Sequence, residues 1–442
     1  MRRFRIGGLA TSGVLVLLAL LPAPGPRPLG LAAPAQTVQL GVLSDQGGAS
    51  LVRLDPISLK RSGPPLELNG FGGVWTLAPG GRFLALAVRP RADASDDTLR
   101  FFTTAGPRRL KRGVSIGGAA AALAWVRSDR ILAYVDHCCT DPAPYVLAID
   151  PGARRVVART RIDGSVVQIT RGPDSLLLLV AEPNRIGPSR LIVVDAQGSS
   201  RSAKLDGISA GTTWPDQATT EPIGARLIPG LTVDPTGNRA FVIAPDGAAV
   251  EVDLASLAVS FHRLAAPRSL LDRVARWLTP VAEAKGMTGP ALTARWLGNG
   301  LVAVAGSDEN AVMENGQLHL SAQPRGLRIV DTGGWSVRLL DPGADAFTVA
   351  DGLLLATGSS SSERQTQSGM GVAVYGSDRT RRFQLLPGRA AWIGFVYRGR
   401  AYVSVHSESA LRIVDLASGR IVGTRSAGAP WPLLGESSSF FR

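Results

Sequence analysis

The residues best suited to chemistry in this chain of 442 residues are Cys138 and Cys139, which are adjacent and follow His137 in the stretch YVDHCCTDPAPY. Thiolates and imidazoles bind metals, and a thiolate can also act as a nucleophile or form a disulfide. The chain has no other cysteine, so an intramolecular disulfide could join only these two neighbours, in a distorted geometry. Three states stay open: a vicinal disulfide, two free thiols, or a metal site with His137.

A catalytic metal needs three or four converging ligands, and the sequence offers little support for one. The four histidines, His137, His262, His319 and His406, share no ligand motif, and the acidic pair Asp308 and Glu309 matches no known calcium loop. The sequence also lacks a G-x-S-x-G elbow and a phosphate-binding glycine loop. We predict no metal and no cofactor, although calcium or a quinone is not excluded.

The amino terminus predicts the compartment in which these thiols would lie. Three arginines precede the apolar run IGGLATSGVLVLLALL, and a proline-rich segment with an Ala33-Pro34-Ala35 pattern follows. This order is typical of a cleaved signal peptide over residues 1–35. No later stretch is long and apolar enough to cross a bilayer. We therefore expect a secreted or envelope-associated protein without a transmembrane segment, in which Cys138 and Cys139 are candidates for a disulfide.

The charge of the chain does not indicate a nucleic-acid partner. The formal net charge is +13, and four of the 48 basic residues belong to the predicted signal, which leaves 44 basic and 35 acidic groups. The excess is scattered and lacks a basic stripe with interleaved aromatic residues. Apolar residues make up 45% of the chain and charged residues 19%, so a folded globular protein is expected. We expect it to be monomeric.

A repeated pair of strands sets the positions of the cysteines, histidines and acids described above. Eight hairpins, spaced by about fifty residues, each join two short strands through a turn, as in YVLAIDPGARRVVAR (145–159) and ALRIVDLASGRIVGT (410–424). Six of them carry an acid at the turn, which we interpret as a structural acceptor of turn amides. These six acids are Asp55, Asp150, Asp195, Asp253, Asp331 and Asp415.

A second, more apolar hairpin precedes most of these repeats, as in VWTLAPGGRFLALAV (74–88). Two hairpins make one four-stranded antiparallel blade, and blades stacked radially form a β-propeller. The unpaired strand TVQLGVLS (37–44) would take its inner neighbour from the carboxyl-terminal segment 428–441, which closes the ring. The sequence therefore predicts an all-β fold, a single propeller over residues 36–442, with eight blades, or seven as the alternative.

The segment VDPTGNRAFVIAPDGAAVEVDLASLAV (233–259) resembles the YVTN-type, WD-like propeller repeat of exported bacterial proteins, and 397–423 follows the same plan. The resemblance covers roughly residues 37–425 and implies the fold, since propellers host very different functions. Between the repeats, APRSLLDRVARWLTPVAEAKG has apolar residues at helical spacing, which predicts a short helical insertion near residues 267–286.

The connections between the second and third strands of the blades are long and polar, so we expect the binding face there. Segments 306–324 and 357–370 are interpreted as irregular loops of this face. The expected ligand-binding residues all follow second strands: Asp136, His137, Glu182, Asn184, Asp308, Glu309, His406 and Glu408.

We therefore expect an exported scaffold that binds a protein, glycan or envelope component, rather than an enzyme. The alternative is an exported propeller enzyme similar to the quinoprotein dehydrogenases, some of which carry two adjacent cysteines beside the cofactor, or to the lactonases. The tryptophan-docking repeats of the quinoprotein enzymes are absent from this sequence.

Overall fold

The computed structural model describes residues 19–20, 39–45, 48–55, 60–91, 94–110, 112–136, 143–213, 224–264, 288–314, 317–362, 365–406, 408, 410–426, 431–432 and 437–438. The predicted helix near 267–286, the pair Cys138 and Cys139, and His137 lie outside these residues. So does the predicted signal peptide, apart from residues 19–20. Those four expectations stay predictions.

The described residues form strands, with no helix among them. In the first half of the chain the strands are β1 (Ala19–Leu20), β2 (Gln39–Asp45), β3 (Gly48–Leu54), β4 (Arg61–Glu67), β5 (Phe71–Leu77), β6 (Phe83–Arg89), β7 (Thr98–Thr103), β8 (Arg108–Arg109), β9 (Val114–Ser115), β10 (Ala119–Arg127), β11 (Arg130–Asp136), β12 (Tyr145–Asp150), β13 (Arg155–Arg161), β14 (Ser165–Arg171), β15 (Ser175–Ala181), β16 (Gly187–Asp195), β17 (Ser200–Thr213) and β18 (Ala225–Leu227).

In the second half the strands are β19 (Gly230–Val233), β20 (Arg239–Ile243), β21 (Ala248–Asp253), β22 (Val259–Arg263), β23 (Gly289–Gly298), β24 (Leu301–Glu314), β25 (Gln317–Pro324), β26 (Leu327–Asp331), β27 (Ser336–Asp341), β28 (Ala346–Ala350), β29 (Leu353–Ser362), β30 (Gln365–Tyr375), β31 (Arg381–Leu385), β32 (Ala391–Tyr397), β33 (Arg400–Val405), β34 (Ala410–Asp415), β35 (Arg420–Ser426), β36 (Trp431–Pro432) and β37 (Ser437–Ser438). Within this part of the chain no helix is long and apolar enough to cross a membrane.

These strands form an eight-bladed β-propeller of four-stranded antiparallel blades, as the repeat predicts. Blades 2 to 5 are built around β5–β9, β10–β13, β14–β17 and β19–β22. Blades 6, 7 and 8 are built around β23, β24, β26 and β27, around β28–β31, and around β32–β35. In each blade the first strand named is innermost. In blade 3 its side chains and those of the second strand are mostly buried, as the patterns of β10 and β11 show.

The two ends of the chain close the ring at blade 1. Strand β36 pairs with the inner edge of β2, with Val42 opposite Trp431, so the sheet runs β36-β2-β3-β4. This pairing confirms the predicted closure and the count of eight. Strand β37 pairs with β5 of blade 2, and β1 pairs with β37. Blade 1 thus contains strands from both ends of the chain, and β36 covers the edge of β2 that an open ring would leave exposed.

Turn chemistry explains why the hairpins form where they do. In the DPTGN turn, Asp234 is buried and its Oδ1 accepts hydrogen bonds from the backbone N–H groups of Asn238 (2.9 Å) and Arg239 (3.3 Å). Gly237 in the same turn has φ +72°, a conformation that is costly for residues with a Cβ. The sequence therefore specifies this turn locally, before any packing between blades.

Two of the predicted loops are strands, which corrects the sequence interpretation. Residues 306–324 and 357–370 extend β24, β25, β29 and β30 beyond the body of their blades. Ser321 pairs with Ser362 and Ala322 with Ser361, so β25 joins β29 edge to edge. Blades 6 and 7 thereby share one nine-stranded sheet. Within each extension the two strands pair with each other, and β25 joins β29 between the extensions, so backbone groups are paired that irregular loops would leave without such partners.

Candidate functional site

The propeller has two unlike faces, set by the antiparallel order of each blade. Turns between first and second strands, and between third and fourth strands, open on one face, which we call the turn face. Connections between second and third strands open on the other, which we call the loop-rich face. Asp136 ends β11, Glu182 directly follows β15, and Asp308 and Glu309 lie in the extended part of β24. The second strand of its blade therefore carries each of them toward the loop-rich face.

Five of the six acids of the turn face act as turn acceptors, which confirms their structural interpretation: Asp150, Asp195, Asp253, Asp331 and Asp415. Asp150 Oδ1 accepts the backbone N–H of Ala153 at 2.8 Å, and Asp331 Oδ1 accepts that of Gly333 at 2.9 Å. In Asp253 and Asp415, hydrogen bonds from the side chain and backbone of a following serine lower the carboxyl pKa. The carboxylates at these turns are thus engaged within the fold.

The most distinctive feature of the loop-rich face is the hairpin extension, which we define as residues 307–324 of blade 6 and 357–370 of blade 7. Its four strands run in the order β24-β25-β29-β30. Ser360 and Ser368 hydroxyls lie 3.1 Å apart across the second hairpin and are exposed. A four-stranded sheet positions its side chains more rigidly than two separate loops would.

Ion pairs hold the base of the hairpin extension to Arg325 of the same blade and to Arg226 of β18, the strand that pairs with β17 of blade 4. Asp308 contacts Arg325 at 2.6 Å, and Glu309 contacts Arg226 at 2.9 Å. Both arginine side chains are mostly buried, whereas both carboxylates are about 40% exposed. Burial and the nearby Arg325 lower the pKa of Arg328. Two predicted ligand-binding carboxylates are therefore already paired with arginines.

Blades 3 and 4 contribute three further predicted residues. Asp136 is half-buried at the end of β11, and burial, with a smaller effect of Asp136, raises the pKa of the buried Tyr134. Glu182 is exposed and contacts Arg185 at 2.9 Å. Asn184 is exposed, with φ +52°, a conformation that asparagine tolerates better than most residues.

Blade 8 contributes His406 and Glu408. The backbone N–H of His406 donates to the Ala390 carbonyl at 2.9 Å, and the exposed imidazole lies edge-on to the Trp392 ring, with 6.3 Å between ring centroids. Arg412 Nε donates to Glu408 Oε2 at 2.8 Å, and this hydrogen bond lowers the pKa of the Glu408 carboxyl. A protein-anchored histidine with a free ring surface suits contact with a partner.

The predicted residues are spread over blades 3, 4, 6 and 8, and their role as a ligand-binding set stays a prediction. The described residues hold no group of three or more His, Cys, Asp or Glu side chains placed to bind a metal. Sequence reasoning missed the arginine partners Arg226, Arg325 and Arg412. Only Arg412, four residues after Glu408, was near enough in sequence to be recognised.

Comparison with known proteins identifies the fold. No protein family and no curated protein matches the chain. Among solved structures, a dihydro-heme d1 dehydrogenase, NirN, in complex with DHE aligns at 12% identity with a TM-score of 0.53, covering 95% of this chain and 79% of its own.

Two other solved structures align less closely. Apo AztD from Citrobacter koseri aligns at 12% identity and a TM-score of 0.49, covering 92% of this chain and 100% of its own. A 6-phosphogluconolactonase homologue from Bacteroides uniformis aligns at 10% identity and a TM-score of 0.42, covering 79% and 96%. The likeness to the dehydrogenase, at 12% identity, shows the fold alone, and the strand order makes the chain an eight-bladed β-propeller.

Proposed function

We propose that this protein is an exported scaffold that binds a partner through its loop-rich face. The observation that carries the proposal is the hairpin extension, in which blade 6 adds β25 and lengthens β24, and blade 7 lengthens β29 and β30, beyond what the propeller body requires. Blades 3 and 8, for comparison, end their second strands at Asp136 and Val405. Added strands on one face of a rigid ring are typical of a binding surface.

The chemistry of the hairpin extension suits a polar, hydrogen-bonding partner. Its sequence includes Ser359–Ser362, Gln365 and Gln367 in one hairpin, and Asn310 and His319 in the other. Hydroxyl and amide groups both donate and accept hydrogen bonds, which is the complement that glycans, polar protein surfaces and envelope polymers need. The ion pairs of Asp308 and Glu309 hold the base of this surface in place.

Exposed predicted residues on the other blades extend the same surface. Glu182 is 59% exposed, and His406 is exposed. We propose that these two contact the partner directly, together with Asp136, His137 and Asn184. Glu408 has a different role, because its carboxylate is paired with Arg412 of β34.

A shortened variant tests the scaffold proposal. Residues 310–320 and 360–367 are each replaced by a two-residue Asn-Gly turn, and a matched control carries Asp129→Lys in an exposed turn of the turn face. Both are assayed with the full chain against a glycan array and against envelope fractions by interferometry. We expect the shortened variant to lose the binding that the control retains. Equal binding by both variants would place the binding surface elsewhere.

The alternative, an exported enzyme of the quinoprotein-dehydrogenase or lactonase type, is tested on the same protein. Its ultraviolet and visible absorbance and its metal content are measured after purification. A stoichiometric chromophore or metal would contradict a plain scaffold. Thiol titration of the unfolded, unreduced chain then reports on Cys138 and Cys139, since two reactive thiols would exclude the disulfide.

A further inference from the structure

Arg295 lies in β23, the innermost strand of blade 6, and faces blade 7. Side chains alternate along a strand, and its neighbours Ala294 and Trp296 are buried on the side of blade 5. Trp296 stacks there on Phe241, with 5.2 Å between ring centroids. Arg295 pairs with Ala303 of β24, which belongs to the apolar cluster between blades 6 and 7.

The opposite wall comes from the start of blade 7. Phe347 and Val349 of β28 pack against the same cluster between blades 6 and 7, and by alternation Asp345, directly before β28, points the same way. We call the space between the two inner strands the axial cleft. Thr293, Arg295 and Leu297 line it on one side, and Asp345, Phe347 and Val349 line it on the other.

The axial cleft is open, unlike the space between the inner strands of blades 3 and 4. All six of its lining residues are half-buried, and Ala346 at the start of β28 is exposed. In contrast, seven of the nine residues of β10 are buried, and five of the seven of β14. Alanines at 303, 305 and 356 beneath the cleft, all buried, contribute little volume to fill it.

Arg295 has no hydrogen bond or ion pair with any residue that the structure describes, and burial alone lowers its pKa to about 10. Asp345 faces the same cleft, yet its Oδ2 accepts a hydrogen bond from the backbone N–H of Ser359 at 3.0 Å. A guanidinium held in the protein without a counter-charge is costly. An arginine in this position is typical of a site where a ligand supplies the missing negative charge.

We propose that the axial cleft binds a small monocarboxylate, with Arg295 pairing its carboxylate and the cleft walls enclosing its apolar body. The planar guanidinium presents two parallel N–H donors that match a carboxylate. Leu297, Phe347 and Val349 offer apolar surface beside that donor pair. This site lies beside the propeller axis and does not rest on partner binding by the hairpin extension.

The charge of the cleft favours a monoanion over a phosphate dianion. Among the described residues that line the cleft, Arg295 is the only basic one, and Asp345 is a carboxyl on the facing wall. A dianion would meet one cation and one acid, whereas phosphate sites gather several donors or a helix terminus. One charge-assisted contact and an apolar wall therefore indicate a carboxylate with an aromatic or branched body.

Benzoate and its neutral isostere benzamide test the proposal on the full chain by isothermal titration at low ionic strength. We expect benzoate to bind with a Kd on the order of 1 mM, and benzamide to bind about tenfold more weakly because it lacks the charge. Arg295→Gln should weaken benzoate binding by about tenfold, which corresponds to about 1.4 kcal/mol. Arg295→Lys should give an intermediate Kd, since it keeps the charge and loses the paired donors.

The matched control is Arg328→Gln. Arg328 is another half-buried arginine of blade 6 with a lowered pKa, but it pairs with Val304, whose cluster contains Phe241 of blade 5. We expect its benzoate affinity to match that of the unmodified chain. Arg295→Gln should stay folded by circular dichroism, because it removes an unpaired cation. Equal binding of benzoate and benzamide, or undiminished binding by Arg295→Gln, would overturn the proposal, as would no benzoate binding to the unmodified chain.

Discussion

Arg325 connects two blades, because one nitrogen of its guanidinium group donates to Asp308 of blade 6 and another donates to the backbone of blade 5. Its Nη1 donates to both carboxylate oxygens of Asp308, at 2.6 and 2.8 Å, and its Nη2 donates to the Pro245 carbonyl at 3.0 Å. Pro245 lies between the second and third strands of blade 5. The base of the hairpin extension is thus fixed to the neighbouring blade.

Replacing Arg325 by Met should lower the free energy of unfolding by about 1–2 kcal/mol, because a mostly buried charged hydrogen-bond network is lost. Urea denaturation measures the change. The control is Arg185→Met, which removes the Glu182 ion pair between two well-exposed side chains and should change stability by roughly 0.5 kcal/mol or less. Equal effects of the two substitutions would contradict an anchoring role of Arg325.

Buried threonine hydroxyls connect the inner strands of adjacent blades. Thr232 Oγ1 accepts the backbone N–H of Trp296 at 3.0 Å, and Thr76 Oγ1 accepts that of Trp125 at 2.9 Å. Thr232→Val keeps the shape but leaves a buried N–H unpaired, so we expect a loss of about 1–3 kcal/mol by urea denaturation. Thr232→Ser retains the acceptor and should lose less. A valine variant as stable as the serine variant would show that this hydrogen bond contributes nothing.

The blades could be predicted because the sequence features that specify each hairpin lie within that hairpin. Each hairpin carries its own turn residues and strand alternation, as Asp234 and Gly237 show in one turn. The repeat multiplies this signal, so the count of eight and the closure by the segment containing Trp431 follow from it.

The loop-rich face was harder to predict because its contacts are not local. The dipeptide Asn315-Gly316 between alternating residues is a strong hairpin signal, and it would have identified β24 and β25 as extended strands. The pairing of Ser321 with Ser362 had no such signal, since serines show no apolar alternation. Arg295 looks like any other arginine in the sequence, and only the register of β23 places it in the axial cleft.

The junction between β25 and β29 can be tested by a designed cross-link. Ser321 and Ser362 are direct antiparallel partners, so their Cα atoms should lie about 4.5–5.5 Å apart, within the range of a disulfide. In a Cys138→Ser and Cys139→Ser background, Ser321→Cys with Ser362→Cys should oxidise to an intramolecular disulfide, detected by peptide mass spectrometry. Ser321→Cys with Ser377→Cys, whose second position is on the turn face, should stay reduced. The reverse result would contradict the shared sheet.

Asp345 makes the stability of the fold depend on pH in a direction that can be stated in advance. Burial raises the pKa of its carboxyl, and the hydrogen bond from the Ser359 backbone N–H lowers it by a smaller amount. The folded chain therefore binds this proton more tightly than the unfolded chain does. The stability that this group contributes is full below the ordinary carboxyl pKa of about 4. It is lost as the pH rises through the raised folded value.

Asp345→Asn removes the titration and keeps an oxygen acceptor for the Ser359 N–H. We expect the variant to gain stability relative to the unmodified chain as the pH rises from about 4, until the gain levels off above the folded pKa. Urea denaturation at several pH values measures this difference. Asp253→Asn is the control of opposite sign, because the Ser256 hydrogen bonds lower the pKa of Asp253. In this case the unmodified chain should be more stable than Asp253→Asn at neutral pH. This difference should disappear as the pH falls through the lowered pKa of Asp253. A difference for Asp345→Asn that does not change with pH would show that the buried carboxyl does not titrate as described.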